Sequence, residues 1–255
     1  MNRFLVYLIV LAMLVVVACR GTARKEAPPP APASASPSKS LPKIVAFGDS
    51  LTAGFGLSES SSYPSLLQNK LKQDGFDYEV VNAGVSGDTS AGGVRRIDWA
   101  LEGDVKIVIV ELGANDILRG QPIQELRKNL GLIIERCKAK GARVLLAGME
   151  APTDTGVEYR RDVHEAFSAV AREHNVALIP FFLEGVAAID SLNQRDRIHP
   201  NEEGTKIVAE TVYRSLRPLL DDLHRNESRT DNSPAVPNTE TNASLGANSS
   251  AATLY

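Results

Sequence analysis

The sequence predicts an α/β fold: a three-layer sandwich in which a five-stranded, mainly parallel sheet is flanked by helices. Three observations lead there. Short apolar runs alternate with longer stretches of helical periodicity along the chain. The run from Val105 to Leu112 is dominated by β-branched residues, as a strand buried on both faces must be. Small-residue or polar turns follow the apolar runs at Gly48, at Ala83-Gly84 and at Gly113. Strand–helix alternation of this kind closes one parallel sheet, with functional residues at the C-terminal ends of its strands.

The elements follow in order. Lys43 to Phe47 is a short apolar strand ending at Gly48. Leu66, Leu67 and Leu71 recur at helical spacing and predict a helix from Tyr63 to Leu71. Glu79 to Asn82 is the second strand, and Ala83 to Gly87 a loop of small residues. Asp88 or Thr89 suits the cap of a helix running to about Leu101. Val105 to Leu112 is the third strand, ended by Gly113-Ala114-Asn115-Asp116. Leu126, Leu130, Ile133, Ile134 and Cys137 line one side of a helix from Gln124 to Lys138, which Gly141 stops. Arg143 to Ala147 is the fourth strand, Glu158 to His174 a helix, and Val176 to Pro180 the fifth strand. Asn201 can cap a last helix through Ile207, Val208, Val212, Leu216 and Leu219.

The ends of the 255-residue chain do not read as core. Residues 1–18 read as a signal peptide: Arg3 precedes the uninterrupted apolar stretch Phe4 to Val17, too short for a comfortable span. Ala18-Cys19 resembles a bacterial lipobox, with Cys19 the lipidated N-terminus of an exported, membrane-tethered protein; an ordinary secretory signal of a soluble periplasmic or secreted protein, or an N-terminal anchor helix, is the alternative. Residues 19–41 are rich in Pro, Ala and Ser, a composition that forms an extended tether. The domain is expected at 42–223, and residues 224–255, rich in Asn, Ser, Thr and Ala without periodicity, are expected to be disordered. A net charge of −3 gives no reason to expect nucleic-acid binding. Of the two cysteines, Cys137 reads as a buried thiol, and no metal-ligand spacing occurs.

Two short segments carry the chemistry. Gly48-Asp49-Ser50-Leu51 sets a serine at a strand end, and Asp196-Arg197-Ile198-His199-Pro200 sets a carboxylate and an imidazole three residues apart. A serine hydroxyl is a weak nucleophile until an oriented imidazole takes its proton, so each fragment supplies what the other lacks. Singly, each is ambiguous. Gly-Asp-Ser-Leu can be a plain turn and is not the Gly-x-Ser-x-Gly elbow. Asp-x-x-His can be a solvated loop or, with further ligands, a metal site. Asn115 equally suits a helix cap. Asp49 and Asp116 read as hydrogen-bonding supports. Asp154, His164 and Glu184 are weaker alternates, since His164 falls on a polar helix face.

Taken jointly and in order, Gly48-Asp49-Ser50-Leu51, Asn82 with Gly87, Gly113-x-Asn115-Asp116 and Asp196-x-x-His199-Pro200 resemble the GDSL branch of the SGNH hydrolases, over about residues 42–222. The stretches Ser86-Gly87-Asp88-Thr89-Ser90, Val110-Glu111-Leu112-Gly113 and Pro180-Phe181-Phe182 resemble its bacterial thioesterase I/lysophospholipase L1 and arylesterase subfamily. The resemblance implies the flavodoxin-like fold of that superfamily, with Ser50 as nucleophile, His199 as base and Asp196 as its orienting carboxylate. It implies an oxyanion hole of the Ser50 and Gly87 backbone N–H groups and the Asn115 amide, with Gly84 the competing glycine. It implies no metal and no cofactor. Ile117 and Leu118, at the mouth of the site, are candidates for contact with an acyl chain, or for covering core. The expected substrate is a small acyl ester, thioester or lysophospholipid, taken by a monomer tethered to a membrane through Cys19. The alternatives are a polysaccharide O-deacetylase of the same superfamily and a non-catalytic surface lipoprotein.

Overall fold

Five parallel strands form one sheet in the order β2-β1-β3-β4-β5. They are β1 (Lys43–Gly48), β2 (Glu79–Gly84), β3 (Val105–Glu111), β4 (Arg143–Ala147) and β5 (Ala177–Ile179). The computed structural model describes residues 40–231. The expected signal peptide, Cys19 and most of the tether therefore lie outside the described residues, as does the tail after Asp231.

Seven helices connect and cover the strands among the described residues: α1 (Ser50–Ala53), α2 (Tyr63–Gln73), α3 (Ser90–Ala100), α4 (Ala114–Leu118), α5 (Ile123–Ala139), α6 (Val157–Glu173) and α7 (Glu202–Asp231). Helices α3, α5 and α6 pack side by side on one face of the sheet, and α2 packs against α7 on the other. Ile44, Val45, Ala46 and Phe47 in β1 and Ile107, Val108, Ile109 and Val110 in β3 are all fully buried. Coverage on both faces is why these strands read as continuous apolar runs rather than alternating ones.

The helix boundaries follow local chemistry. Thr89 rather than Asp88 caps α3, its hydroxyl accepting from the Gly92 N–H. Asp88 is turned instead to the Arg96 guanidinium at 2.7 Å. Asn201 Oδ1 accepts from the Gly204 N–H at the start of α7, at 3.0 Å. Helix α7 continues past Arg225 to Asp231, beyond the end of its apolar periodicity. Cys137 is buried on α5, and that burial pushes its thiol up to about 12.

Connectivity decides where a site can form. From β1 the chain crosses to β2 on one side and then returns to β3 on the other, so β1 lies between them. The loops after β1 and β3 therefore diverge to opposite faces and open a crevice at the strand C-termini. Leu126 on α5 supports this rim from below: a β-carbon on Gly113, just after β3, would lie 3.0 Å from Leu126 Cδ1. Leu126→Ala is expected to lower unfolding free energy by about 2–5 kcal/mol through the cavity it leaves. Denaturant unfolding checks this, the midpoint falling with an unchanged m-value.

Candidate active site

The turn from β1 into α1 is shaped by exclusion. A β-carbon on Gly48 would stand 2.1 Å from Thr52 Oγ1 and 2.6 Å from the Glu111 carbonyl oxygen, so only glycine fits. Asp49 then caps α1, its carboxylate accepting from the Leu51 N–H at 3.0 Å. Ser50 is thereby the first residue of α1, directly beyond the sheet edge.

His199 comes to Ser50 from the opposite end of the chain. Its Nε2 lies 2.9 Å from Ser50 Oγ, and its Nδ1 lies 2.7 Å from Asp196 Oδ2. The other oxygen of Asp196 accepts the backbone N–H groups of Ile198 and His199 at 3.0 and 3.1 Å. Arg197, between them, takes a left-handed φ of 61°, which closes the three-residue spacing into a tight turn. The hydrogen bond to His199, with those two backbone donors, holds the Asp196 carboxyl down at about 2. Asp196 is therefore ionised wherever the imidazole is neutral, and it fixes the Nδ1–H tautomer. An imidazole so held can take the proton of the Ser50 hydroxyl.

Two residues absent from the sequence reading support this relay. Gln194 donates from Nε2 to the carbonyls of Phe55 and Pro200 at 2.7 and 3.0 Å, tying the histidine loop to the serine loop. The Phe55 ring lies 4.7 Å from the imidazole, centroid to centroid, while half exposed. Neither carries a sequence signal beyond being an ordinary loop residue.

The other strand ends meet the same turn. Asn115, near the start of α4 after β3, donates from Nδ2 to Asp49 Oδ2 at 2.9 Å. That bond uses one of its two amide hydrogens and leaves the other free. Asp116 turns away from the crevice and accepts from the Ser90 N–H at 2.8 Å and the Ser90 hydroxyl at 2.5 Å. After β2, Arg96 donates to the carbonyls of Ala83 and Gly48, joining that loop to the end of β1. Within the loop the two glycines differ. The Gly84 N–H is consumed by Asn82 Oδ1 at 3.0 Å, and a β-carbon there would meet the Ala53 backbone. Gly87 takes φ 80°, and its N–H donates to nothing among the described residues. The Ser50 N–H is likewise unpaired, as the first N–H of a helix is. Two backbone donors and an amide hydrogen are thus left without an acceptor on the three strand ends beside Ser50.

Ile117 and Leu118 part company. Ile117 is buried in the core, and only Leu118 is exposed. Of the two expectations for Ile117, contact with an acyl chain or cover for the core, its burial favours the second, because the short helix α4 turns it inward beside Leu118. His164 sits exposed on α6, 3.8 Å from Glu150, and neither Asp154 nor Glu184 bonds to Ser50 or His199. A small pocket adjoins Ser50 and His199, lined by Leu51, Leu57, Tyr63, Phe182 and Val208. Among the described residues no cluster of three or more His, Cys, Asp or Glu could hold a metal ion.

The sequence matches the GDSL-like lipase/acylhydrolase family over residues 46–207. It is 42% identical over 178 residues to the Esterase TesA of Pseudomonas aeruginosa, covering 69% of this chain and 89% of that protein. It is 38% identical over 182 residues to the thioesterase 1/protease 1/lysophospholipase L1 of Escherichia coli (strain K12), covering 69% and 84%. The fold superposes on the crystal structure of a TesA with a TM-score of 0.68, at 41% identity over 69% of this chain and 99% of that one. With the match spanning every strand end that faces Ser50, the chain belongs to the GDSL-like lipase/acylhydrolase family.

Proposed function

We propose that this protein is a serine esterase that hydrolyses carboxylic esters and thioesters through an acyl-serine intermediate. The observation that carries the reading is the Ser50–His199–Asp196 relay at 2.9 and 2.7 Å, with unpaired N–H donors beside it. His199 Nε2 takes the hydroxyl proton as Ser50 Oγ attacks the acyl carbon. The carbonyl oxygen becomes an oxyanion, held by the N–H groups of Ser50 and Gly87 and the free amide hydrogen of Asn115. The imidazolium then protonates the departing alkoxide or thiolate. Water, deprotonated in turn by His199, releases the acid and restores Ser50. The names of the relatives, an esterase and a thioesterase/lysophospholipase, agree with this chemistry.

Asn115→Ala is expected to lower kcat by about 10²- to 10³-fold with KM little changed, since the donor acts on charge that forms only in the transition state. Steady-state kinetics on one ester check the split. Four exposed apolar side chains, Phe55, Val85, Leu118 and Ile198, come from the four segments that carry Ser50, Gly87, Asn115 and His199. This rim favours substrates with an alkyl chain, including lysophospholipids. Leu118→Ala is expected to lower kcat/KM for octanoate and decanoate esters by roughly tenfold while sparing acetate, as loss of apolar contact worth about 1–3 kcal/mol should. An unchanged chain-length profile removes Leu118 from substrate binding.

Export follows from the sequence reading: Cys19 would anchor the enzyme to a membrane outside the cytoplasm, where it acts as a monomer on small acyl substrates and takes up no nucleic acid. Among the described residues no helix is long and apolar enough to cross a membrane. Turnover of p-nitrophenyl acetate through decanoate, beside Ser50→Ala, tests the function. Rates above the variant across the series are expected, and equal rates for both proteins would overturn the reading. Activity on acetate alone would shift it to a deacetylase.

A further inference from the structure

Glu111, the last residue of β3, is a carboxyl group at 0% exposure directly beneath the Ser50 turn. Its Oε2 accepts from the Thr52 hydroxyl at 2.7 Å and from the Asp49 N–H at 3.3 Å. Its Oε1 has no hydrogen-bond donor facing it among the described residues. The side chain of Asp49, 1% exposed, lies within hydrogen-bonding reach of the Glu111 side chain. The titratable groups facing the pair are Tyr63 from α2, which meets Thr52 Oγ1 at 3.3 Å, and His199 across the Ser50 turn. Among the described residues no lysine or arginine acts on Glu111.

Two carboxylates cannot both be ionised there. A buried charge with one bare oxygen and no cation is costly, and a second negative charge in contact raises the cost further. The donors decide which group keeps the charge. Asp49 accepts from the Leu51 N–H and from the Asn115 amide, on its two separate oxygens. Glu111 accepts on one oxygen only.

We propose that Glu111 is a positioning residue of the hydrolytic site: held as a neutral acid, it donates its proton to the Asp49 carboxylate, and Asp49 thereby aims the Asn115 amide at the oxyanion. The reading rests on Asn115 serving as an oxyanion donor, as proposed above. It accounts for a carboxyl group directly after the fully buried apolar run Ile107 to Val110, where packing alone would favour a hydrocarbon. Burial, with the neighbouring Asp49 charge next, pushes the Glu111 carboxyl well above the usual range, and burial lifts Asp49 to about 6. Near neutral pH the pair thus carries one proton and one charge, the charge on the residue that Asn115 touches.

Two variants and two readouts test the assignment. Glu111→Gln is neutral and keeps an N–H donor, so kcat is expected within about threefold of the native enzyme. Glu111→Met keeps the volume but cannot donate, and is expected to lower kcat by at least about tenfold with KM little changed, since the oxyanion donor it misplaces acts only in the transition state. The second readout is stability against pH. An acid that stays protonated in the fold but ionises on unfolding loses stability as pH rises above about 4.3. The melting temperature of Glu111→Gln relative to native is therefore expected to climb steadily from pH 5 to pH 8. A constant difference, or Glu111→Gln as slow as Glu111→Met, would mean that Glu111 is ionised and would overturn the proposal. So would native kcat in a folded Glu111→Met. Failure of the esterase reading looks different: the native enzyme itself would not exceed Ser50→Ala, while the pH dependence of stability would still report the Glu111 proton.

Discussion

Ser50→Ala is expected to lower kcat for p-nitrophenyl ester hydrolysis by about 10⁶-fold, with the fold and KM nearly unchanged. The size of the effect comes from the loss of the covalent route itself: alanine has no oxygen to form the acyl intermediate, and water has no comparable position. The side chain removed is small and sits at the first position of the four-residue helix α1, so little packing goes with it. Ser50 and His199 act as one unit through the 2.9 Å contact. His199→Ala is therefore expected to cost about as much as Ser50→Ala, and the double variant no more than either, as groups that act together do. Steady-state rates of the three variants check both the magnitude and the lack of additivity. Independent, multiplying losses would separate the two residues and break the relay.

Asp196→Asn is expected to lower kcat by up to about 10⁴-fold. The loss comes from the wrong imidazole tautomer. Asparagine keeps an oxygen for the backbone N–H groups of Ile198 and His199, so the turn survives. It then presents an amide N–H to His199 Nδ1 in place of a carboxylate. The imidazole must answer with an unprotonated Nδ1, which puts its proton on Nε2 and faces Ser50 with a donor where an acceptor is needed. Asp196 is 36% exposed at its side chain, so water can partly take over its role. That places the loss below that of Ser50→Ala. Melting temperatures equal within a few degrees, with kcat depressed, would separate this orienting role from a structural one.

Much of the architecture was legible because its physics is local. The apolar runs of β1 and β3 and the periodic face of α5 are fixed by burial on known faces, and each lies within a residue or so of its predicted place. The short helices α1 and α4 were not legible, since four or five residues cannot display a 3.6-residue period. They matter, because α1 presents Ser50 and α4 turns Ile117 inward while leaving Leu118 out. Strand order is a long-range property, and nothing local says that β1 is flanked by β2 and β3.

The site divides in the same way. Ser50, Asp196 and His199 were legible as a set because each residue type is meaningless without the others. The spacing from Asn82 already favoured Gly87 over Gly84, and the structure adds a reason, since Asn82 occupies the Gly84 N–H. Glu111 was hidden inside a strand read by its apolar neighbours. A charged residue in a run buried on both faces is itself a signal, and its partner Asp49 lies 62 positions away, where no sequence pattern reaches.

Hydrolysis depends on Ser50 as the nucleophile activated by His199, and one measurement addresses that directly. A fluorophosphonate offered to the native enzyme should form a single stoichiometric adduct, which peptide mass mapping places on Ser50 and which His199→Ala forms far more slowly. No adduct on the folded enzyme, or equal labelling of Ser50→Ala at another residue, would contradict it.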